Sequence, residues 1–281
     1  MCNQCVIEGV KQTMLSRRRL LGGGAAAAAT LGLAGPTLAQ DAAKSDVGGA
    51  GKTLGNMAIS DLTHELHPEF PTFFGEQQFF MEPKFTYEKD KFNLFELRVN
   101  EHTGTHVDAP LHFSADGQSV AEIPVEKLIA PLVVVDIKAK AADDADAQVT
   151  PDDIKAWTDA NGELPENCCV AMNSGWQQHL DSEKFRNADD KGVMHFPGFH
   201  VEAAQMLLEG SAVGIAVDTL SLDFGQSPDF AVHYAWLPEG RWGLECIANL
   251  DAMPAVGATL ILGAPKHRGG SGGPSRVLAL S

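Results

Sequence analysis

Short apolar runs, many of them rich in β-branched residues, recur in the second half of the chain and predict buried strands. They lie at 131–137, 170–173, 213–217 and 259–262. Further upstream, Phe95, Leu97 and Val99 alternate with polar residues, which is the pattern of a half-buried strand leading toward residue 102. A last strand is expected over residues 275–280.

Capping signals predict helices between these strands. Thr150-Pro151-Asp152-Asp153 supplies an N-cap hydroxyl, a proline in the first turn and an acid at the third position, so a helix should begin there. A second helix is expected over 201–209, before a glycine, and a third from Ser227-Pro228-Asp229 through Trp236. The acidic, alanine-rich stretch 139–147 is expected to be a solvated loop. Alternating strands and helices indicate an α/β domain with a mixed sheet.

The beginning of the chain is typical of an export signal. Three arginines at 17–19 precede an uncharged stretch from Leu20 to Ala39, which ends in small residues suited to cleavage. Paired arginines followed by leucines are the pattern of a twin-arginine signal. We therefore predict a signal peptide over 1–39, a flexible lead-in over 40–56 and one folded domain over 57–281.

The expected location of the mature protein is the periplasm or the medium. An uncleaved membrane anchor is the alternative, because twenty uncharged residues could just span a bilayer. The many glycines and alanines of this stretch give a weak apolar driving force and favour cleavage, which would leave no stable membrane anchor.

Charge and cysteine content narrow the functional classes. The chain has 37 Asp plus Glu against 21 Lys plus Arg, a formal net charge of -16. Nucleic acid is therefore excluded as the main partner, because phosphate binding needs a basic face, and a small-molecule substrate is expected. Of the five cysteines, Cys168, Cys169 and Cys246 lie beyond the predicted leader, with no CxxC spacing among them, so buried thiols are expected rather than a disulfide framework.

The segment from His102 to His112 carries the strongest chemical signal. His102, His106 and Asp108 occupy even positions, so in an extended strand their side chains would leave the same face. His112 shares this parity, although Pro110 is expected to turn the chain before it. Three imidazoles and a carboxylate within one short segment are the donors that a divalent cation such as zinc or manganese prefers.

At this point the sequence resembles a known family. The segment HTGTHVDAPLHF is similar to the signature of the putative cyclase family, which includes bacterial kynurenine formamidases and isatin hydrolases. The segments ISDLTHEL, VGIAVDTLSLD and GGSGGPSRVLAL resemble other blocks of that family. The resemblance implies a metal-dependent amide hydrolase with a swivelling β/α/β fold, assembled as a homodimer or homotetramer.

The resemblance also implies roles for individual residues. The two histidines and the aspartate that open the motif would bind the metal, and His112 would be the catalytic histidine. In the formamidases a further histidine and a glutamate twelve residues later complete the site, and His233 and Glu245 have this separation. Because some relatives carry glutamine at the last position and hold one manganese, the glutamate here favours a site able to hold two ions. The implied ligands are His102, His106, Asp108, His233 and Glu245.

The chemistry of these residues agrees with hydrolysis. A divalent ion lowers the pKa of bound water to near 7, and an imidazole such as His112 can take the proton and return it to a leaving nitrogen. Ser174-Gly175 lacks the GxSxG elbow of serine hydrolases. We expect an arylformamidase-like hydrolase of an amide or cyclic amide, with ring opening of an isatin or a lactone as the alternative. A non-catalytic periplasmic metal-binding protein is the alternative from another class.

Other residues are weaker candidates. Turn and capping hydrogen bonds are the expected role of the polar residues after the strand at 213–217, which are Asp218, Thr219, Ser221 and Asp223. Surface or capping roles are expected of His64 and His67, with one of them lining the pocket as the alternative. Three further histidines, His179, His195 and His200, have no acid at ligand spacing. An aromatic pocket could be walled by Phe73, Phe74, Trp176 and Trp236, with core packing expected for at least two of them. The glycines of 269–273 make a weak phosphate-loop match and are expected to form a tight loop before the last strand.

Overall fold

The computed structural model describes residues 57–281. The signal peptide predicted over 1–39 and the lead-in predicted over 40–56 lie outside the described residues. The described chain divides into two compact units: Met81–Glu96, and residues 57–80 together with 97–281. Within these residues, no helix has the length and apolar character needed to cross a membrane.

A mixed sheet of nine strands is the framework of the larger unit. The strands of the described chain, in order, are β1 (Ile59–Asp61), β2 (Phe79–Phe85), β3 (Leu94–Val99), β4 (His106–Asp108), β5 (Ile129–Asp136), β6 (Gln148–Val149), β7 (Cys169–Asn173), β8 (Gly198–Phe199), β9 (Gly214–Val217), β10 (Trp242–Glu245), β11 (Ala258–Gly263), β12 (Gly272–Pro274) and β13 (Arg276–Leu280). The spatial order of the large sheet is β1-β13-β11-β5-β7-β9-β10-β4-β12. Strands β5, β7, β9 and β10 are parallel neighbours, whereas β4 runs antiparallel to both β10 and β12. The mixed sheet predicted from the sequence is confirmed.

The parallel strands are apolar at successive positions because both of their faces are covered. Val133 and Val135 of β5 belong to one hydrophobic cluster, together with Trp157. Leu132 and Val134 of the same strand point the other way and belong to a second cluster. Strand positions predicted from apolar runs therefore agree with β5, β7, β9 and β11.

Five helices accompany these strands in the described chain: α1 (Tyr87–Asp90), α2 (Lys138–Asp143), α3 (Pro151–Asn161), α4 (Val201–Glu209) and α5 (Ala231–Trp236). The start of α3 is as predicted, because the Asp153 carboxylate accepts hydrogen bonds from the backbone nitrogen and the hydroxyl of Thr150, both at 2.7 Å. The prediction of α4 over 201–209 is also confirmed.

Three local predictions were wrong. The alternating strand forms as β3, but Phe95, Leu97 and Val99 are 48%, 58% and 39% exposed, so it is not half-buried. The stretch 139–147 is not a solvated loop: it contains most of α2, and its alanines Ala141 and Ala147 are buried in the core.

The third discrepancy concerns α5, which begins at Ala231 rather than at residues 227–229. Phe230 has a left-handed backbone (φ 54°), which prevents a helix from running through it. The hydroxyl of Ser227 is bonded to the Asp223 carboxylate instead of capping the helix.

Candidate active site

Two of the predicted ligands lie on strand β4, which is next to the edge strand β12 of the large sheet. His106 and Asp108 are two positions apart on this strand, so they face the same side. Antiparallel pairing with β10 sets Glu245 directly opposite His106. All three side chains are buried. The prediction that alternation along an extended strand aligns His106 with Asp108 is therefore confirmed.

His102 reaches the same place by a different route. It lies in a series of bends before β4 and not on a strand, so the parity prediction was wrong for this residue. Gly104 has a left-handed backbone (φ 69°), and a side chain there would meet Leu66 at 2.9 Å. The bend turns the chain so that Nδ1 of His102 lies 2.7 Å from Oδ1 of Asp108.

His233 and Glu245 complete the cluster from α5 and β10. Nε2 of His233 lies 3.5 Å from Oδ2 of Asp108 and 3.2 Å from Oε1 of Glu245. Nε2 of His106 lies 3.4 Å from Oδ1 of Asp108 and 3.3 Å from Oε2 of Glu245. Each carboxylate is thus flanked by the same two imidazoles.

His112 lies at the edge of this cluster. It follows Pro110 in a 3-10 helix over Pro110–Phe113, so the expected turn before it is present. Its ring stacks on that of His102, with a centroid separation of 3.7 Å and an interplanar angle of 19°. Burial lowers the pKa of His112 to about 4, and the imidazoles of His102 and His233 add to this lowering against the opposing effect of Asp108.

The charges of the cluster depend on one another. Burial by itself would raise the pKa of Asp108, but the adjacent imidazoles of His102, His106 and His233 hold that pKa well below its ordinary range. Burial opposes the protonation of His106, yet the adjacent Asp108 and Glu245 carboxylates raise its pKa to about 10. Two buried carboxylates therefore require positive charge beside them, which protons or a cation can supply.

The tautomer of His102 points to the same requirement. Ser271 donates its hydroxyl hydrogen to Oε2 of Glu101 at 2.6 Å, so it can only accept from Nε2 of His102, which lies 3.0 Å away. A neutral His102 then has a lone pair on Nδ1, facing a carboxylate oxygen of Asp108 at 2.7 Å. Two acceptors at this distance need a proton or a cation between them.

The donor set fits a divalent cation. Ligand atoms of His102, His106 and Asp108 lie within 4.8 Å of one another, and so do those of Asp108, His112 and His233. Nε2 of His106 and Oδ2 of Asp108 are buried without a well-aligned hydrogen bond, which is costly for polar atoms unless something binds them. Imidazole nitrogens and carboxylate oxygens are donors that zinc and manganese both accept.

A cavity of about 440 Å³ opens onto the cluster. Its apolar wall is formed by Phe73, Phe74, Phe113, Leu220 and Phe230. The aromatic rings touch one another, since Phe230 lies 5.8 Å from Phe73 and 5.5 Å from Phe113 between centroids. Phe73 and Phe74 therefore line the cavity, as the sequence suggested.

Trp176 and Trp236 belong to the hydrophobic core, as expected of at least two of the four aromatic residues. Sequence reasoning missed Phe113 and Phe230. The first follows His112, the expected catalytic histidine, and could have been found by its position, whereas the second has a backbone conformation that no local signal predicts.

The weaker candidates have mostly structural partners. Asp218 accepts hydrogen bonds from the backbone nitrogens of Ser174 and Trp176, and Thr219 donates to the carbonyl of Pro197. Ser221 lines the cavity. Asp223 contacts His233, with 2.6 Å between Oδ2 and Nδ1.

The scattered histidines lie outside the cluster. His195 has an acid partner that its spacing did not predict, because Nδ1 lies 2.8 Å from Oδ2 of Asp146. His200 caps α4, His179 packs against Trp176, and His67 lies 3.3 Å from a carboxylate oxygen of Glu69. The backbone nitrogen of His64 donates to the Thr105 hydroxyl.

The expected free, buried thiols are confirmed for Cys168, Cys169 and Cys246. The glycines of 269–273 lead into β12, which lies against β4. This places Gly272 beside His102, where a Cβ atom would lie 2.8 Å from Cε1 of the imidazole.

Comparison with known proteins supports this geometry. A family model described as putative cyclase matches residues 60–224. The chain is 37% identical over 192 residues to isatin hydrolase of Roseibium aggregatum, which covers 65% of this chain and 72% of that protein. It is 27% identical over 225 residues to kynurenine formamidase of Salinibacter ruber, covering 79% and 97% of the two chains. The structure of isatin hydrolase A from Labrenzia aggregata bound to benzyl benzoate superposes with a TM-score of 0.77 at 36% identity, covering 82% of this chain and 96% of that one.

Proposed function

The chain belongs to the putative cyclase family and is a hydrolase of carbon–nitrogen bonds other than peptide bonds, and on this premise we propose how its residues perform that reaction. The proposed ligands of a divalent cation are His102, His106, Asp108, His233 and Glu245. His112 is the proposed catalytic base. The observation that carries the proposal is the convergence of buried imidazole and carboxylate donors at the floor of an aromatic cavity.

The geometry assigns separate roles to the bound cation and to His112. A divalent cation held by the cluster supplies Lewis acidity, which makes water acidic enough to react near neutral pH and polarises the substrate carbonyl. His112 lines the cavity and lies beside the ligands, so its imidazole can accept the proton of the attacking water. The same imidazole then returns the proton to the departing nitrogen. Because water is the attacking group, no covalent intermediate with a protein side chain is needed.

The cavity favours an aromatic substrate without charge. Its wall presents phenylalanine rings that can stack on an aryl group, and its residues within the described chain include no lysine or arginine. A substrate bearing an amino-acid carboxylate would be desolvated there without a counter-ion, which is costly. We therefore propose an uncharged aryl amide or fused-ring lactam as the substrate, in preference to an anilide with a zwitterionic side chain.

The number of ions is proposed from the two ligand groups. Asp108 belongs to both groups, and the two oxygens of Glu245 face different histidines. Asp108, Glu245 and the neighbouring imidazoles would therefore hold two zinc or manganese ions. Elemental analysis of protein purified without chelators should give close to two ions per chain, and Glu245→Gln should lower that number toward one.

The decisive experiment separates metal binding from turnover at His112. His112→Ala should keep its bound metal and lose at least about 100-fold in hydrolysis of formanilide, isatin or an aryl lactone, the usual effect of removing an acid–base group. Chelator should abolish hydrolysis by the wild-type protein. Undiminished hydrolysis in His112→Ala would remove this residue from the mechanism. Hydrolysis of the lactone alone would favour ester over amide ring opening.

We also propose an exported homodimer. The twin-arginine pattern of residues 1–39 supports export to the periplasm. The apolar side chains of β3 support self-association, because Phe95, Leu97 and Val99 are exposed together along one strand and share one face of it.

A further inference from the structure

The helix that carries His233 is short and begins abruptly. It has six residues and follows Phe230, whose backbone is left-handed, so its own sequence does little to fix the orientation of the imidazole. The side chain that hydrogen-bonds to its Nδ1 is Asp223, which is 2% exposed. Oδ2 of Asp223 accepts from Nδ1 of His233 at 2.6 Å. Oδ1 accepts from the backbone nitrogen of Val232 at 2.8 Å and from the hydroxyl of Ser227 at 3.1 Å.

The imidazoles of His102, His106 and His233 each donate one ring N–H to an acceptor outside the cluster, and the three acceptors are of different kinds. His106 donates Nδ1–H to the carbonyl of Gly104 at 2.8 Å, and His102 donates Nε2–H to the hydroxyl of Ser271 at 3.0 Å. The acceptor of the third imidazole is the carboxylate of Asp223. A charged acceptor makes the stronger hydrogen bond and increases the electron density at the opposite nitrogen.

We propose that Asp223 is a positioning residue for the metal centre. Its carboxylate holds the proton of His233 on Nδ1, so that Nε2 presents its lone pair toward Asp108 and Glu245, where the cation of the proposed function would lie. The inference rests on that proposed function, since it concerns the affinity of the same site. Turn and capping hydrogen bonds were the role expected of Asp223, and they do not explain its contact with the imidazole of His233.

The carboxylate also stabilises the start of α5, and the test must separate these two roles. Asp223→Asn preserves the shape and leaves an oxygen that can accept from the backbone of Val232, but it loses the hydrogen bond that Oδ2 accepts from the backbone nitrogen of His233 at 3.1 Å. Its amide group, however, donates toward Nδ1 of His233. The imidazole must then accept at Nδ1 and carry its proton on Nε2, which removes the lone pair from the metal centre.

The experiment measures zinc affinity by competition with a chromophoric chelator, alongside thermal unfolding of the metal-free protein. Asp223→Asn should bind Zn²⁺ 10- to 100-fold more weakly, the range found when such partners of metal-binding histidines are removed, with only a small decrease in the unfolding temperature of the metal-free protein. Ser227→Ala is the matched control, because it removes one hydrogen bond to the same carboxylate and leaves the imidazole contact. It should change the affinity less than threefold.

A second measurement does not depend on the variant folding. In the zinc-loaded wild-type protein, ¹⁵N spectra of labelled histidines should show His233 with its proton on Nδ1. Zinc affinity of Asp223→Asn equal to that of the wild type, or an unprotonated Nδ1 in the wild-type protein, would overturn the positioning role alone. Failure of the wild-type protein to bind zinc or manganese would instead overturn the metal centre itself.

Discussion

Asp218 is buried at the end of β9, among backbone donors. It accepts hydrogen bonds from the backbone nitrogens of Ser174 and Trp176 and, at 2.6 Å, from the hydroxyl of Ser174. Burial raises the pKa of its carboxyl group to about 6, and these hydrogen bonds only partly oppose the rise. The folded protein therefore keeps a proton here to a higher pH than the unfolded chain does. The resulting stabilisation is fully present below about pH 4 and is lost as the pH rises through 6.

Replacing this carboxyl group should remove that pH dependence. From pH 4 to pH 7, the free energy of unfolding of the wild type should fall by about 2 kcal/mol relative to that of Asp218→Asn, as the shift of about two pKa units requires over this range. Urea unfolding at a series of pH values measures the difference. Asp153→Asn is the control with the opposite sign, because hydrogen bonds from Lys140 and Thr150 outweigh burial and lower the pKa of Asp153. A difference between wild type and Asp218→Asn that stays constant with pH would contradict the assignment.

Strand β12 approaches β4 so closely that Gly272 has no room for a side chain. A Cβ atom there would lie 2.3 Å from the carbonyl oxygen of Val107 and 2.8 Å from Cε1 of His102. The clash with the Val107 carbonyl would displace β12 or β4, and the contact with Cε1 would displace the imidazole of His102. Gly272→Ala should weaken zinc binding by at least about tenfold, as for other supporting contacts, and destabilise the fold by about 1–3 kcal/mol through overpacking.

The matched control for this element is Gly210→Ala at the end of α4, where the nearest atom to an added Cβ is the carbonyl oxygen of Leu207 at 3.4 Å. It should retain wild-type zinc affinity. Chelator competition and thermal unfolding report both quantities. Unchanged zinc affinity in Gly272→Ala would show that β12 does not set the position of His102.

Elements were predictable where the signal is local. The apolar run at 213–217 and the capped segment at 201–209 specify a strand and a helix by themselves, and β9 and α4 form there. The start of α5 was not predictable, because its backbone nitrogens are bound by Asp223, a residue outside the helix, after a left-handed Phe230. Local alternation could not show that β3 is exposed on both faces, because burial depends on what packs against a strand.

Some residues of the candidate site were likewise predictable from a local pattern, and others were not. His106 and Asp108 were placed on one face by strand alternation, which the structure bears out. His233 and Glu245 lie on a helix and a strand with no shared periodicity, so only the family resemblance pointed to them. His102 reached the cluster although it lies in a bend, because Gly104 turns the chain back toward Asp108.

The whole molecule is proposed to self-associate through the exposed apolar face of β3. Leu97, at 58% exposure, should be covered by a second copy, and an interface of standard size needs about 1,200–2,000 Å² of buried surface. The wild-type protein should sediment as a dimer and Leu97→Lys as a monomer, because a buried lysine without a partner is costly. Val125→Lys is the control, since Val125 is 72% exposed elsewhere on the chain and its replacement should leave the dimer intact. A monomeric wild type, or a dimeric Leu97→Lys, would refute this interface.

Metal occupancy should affect the stability of the entire fold. The cluster buries the carboxylates of Asp108 and Glu245 beside three imidazoles, and a cation bound there stabilises the folded state alone. At a free metal concentration of about 100 times the dissociation constant, linkage gives about 2.7 kcal/mol. Addition of EDTA should therefore lower the unfolding temperature of the wild-type protein, and excess zinc or manganese should restore it.

His106→Ala, which lacks a central ligand, should respond much less to either addition. A wild-type unfolding temperature that is the same with and without EDTA, in protein shown by elemental analysis to lose its metal, would mean that the cluster holds its shape without a cation.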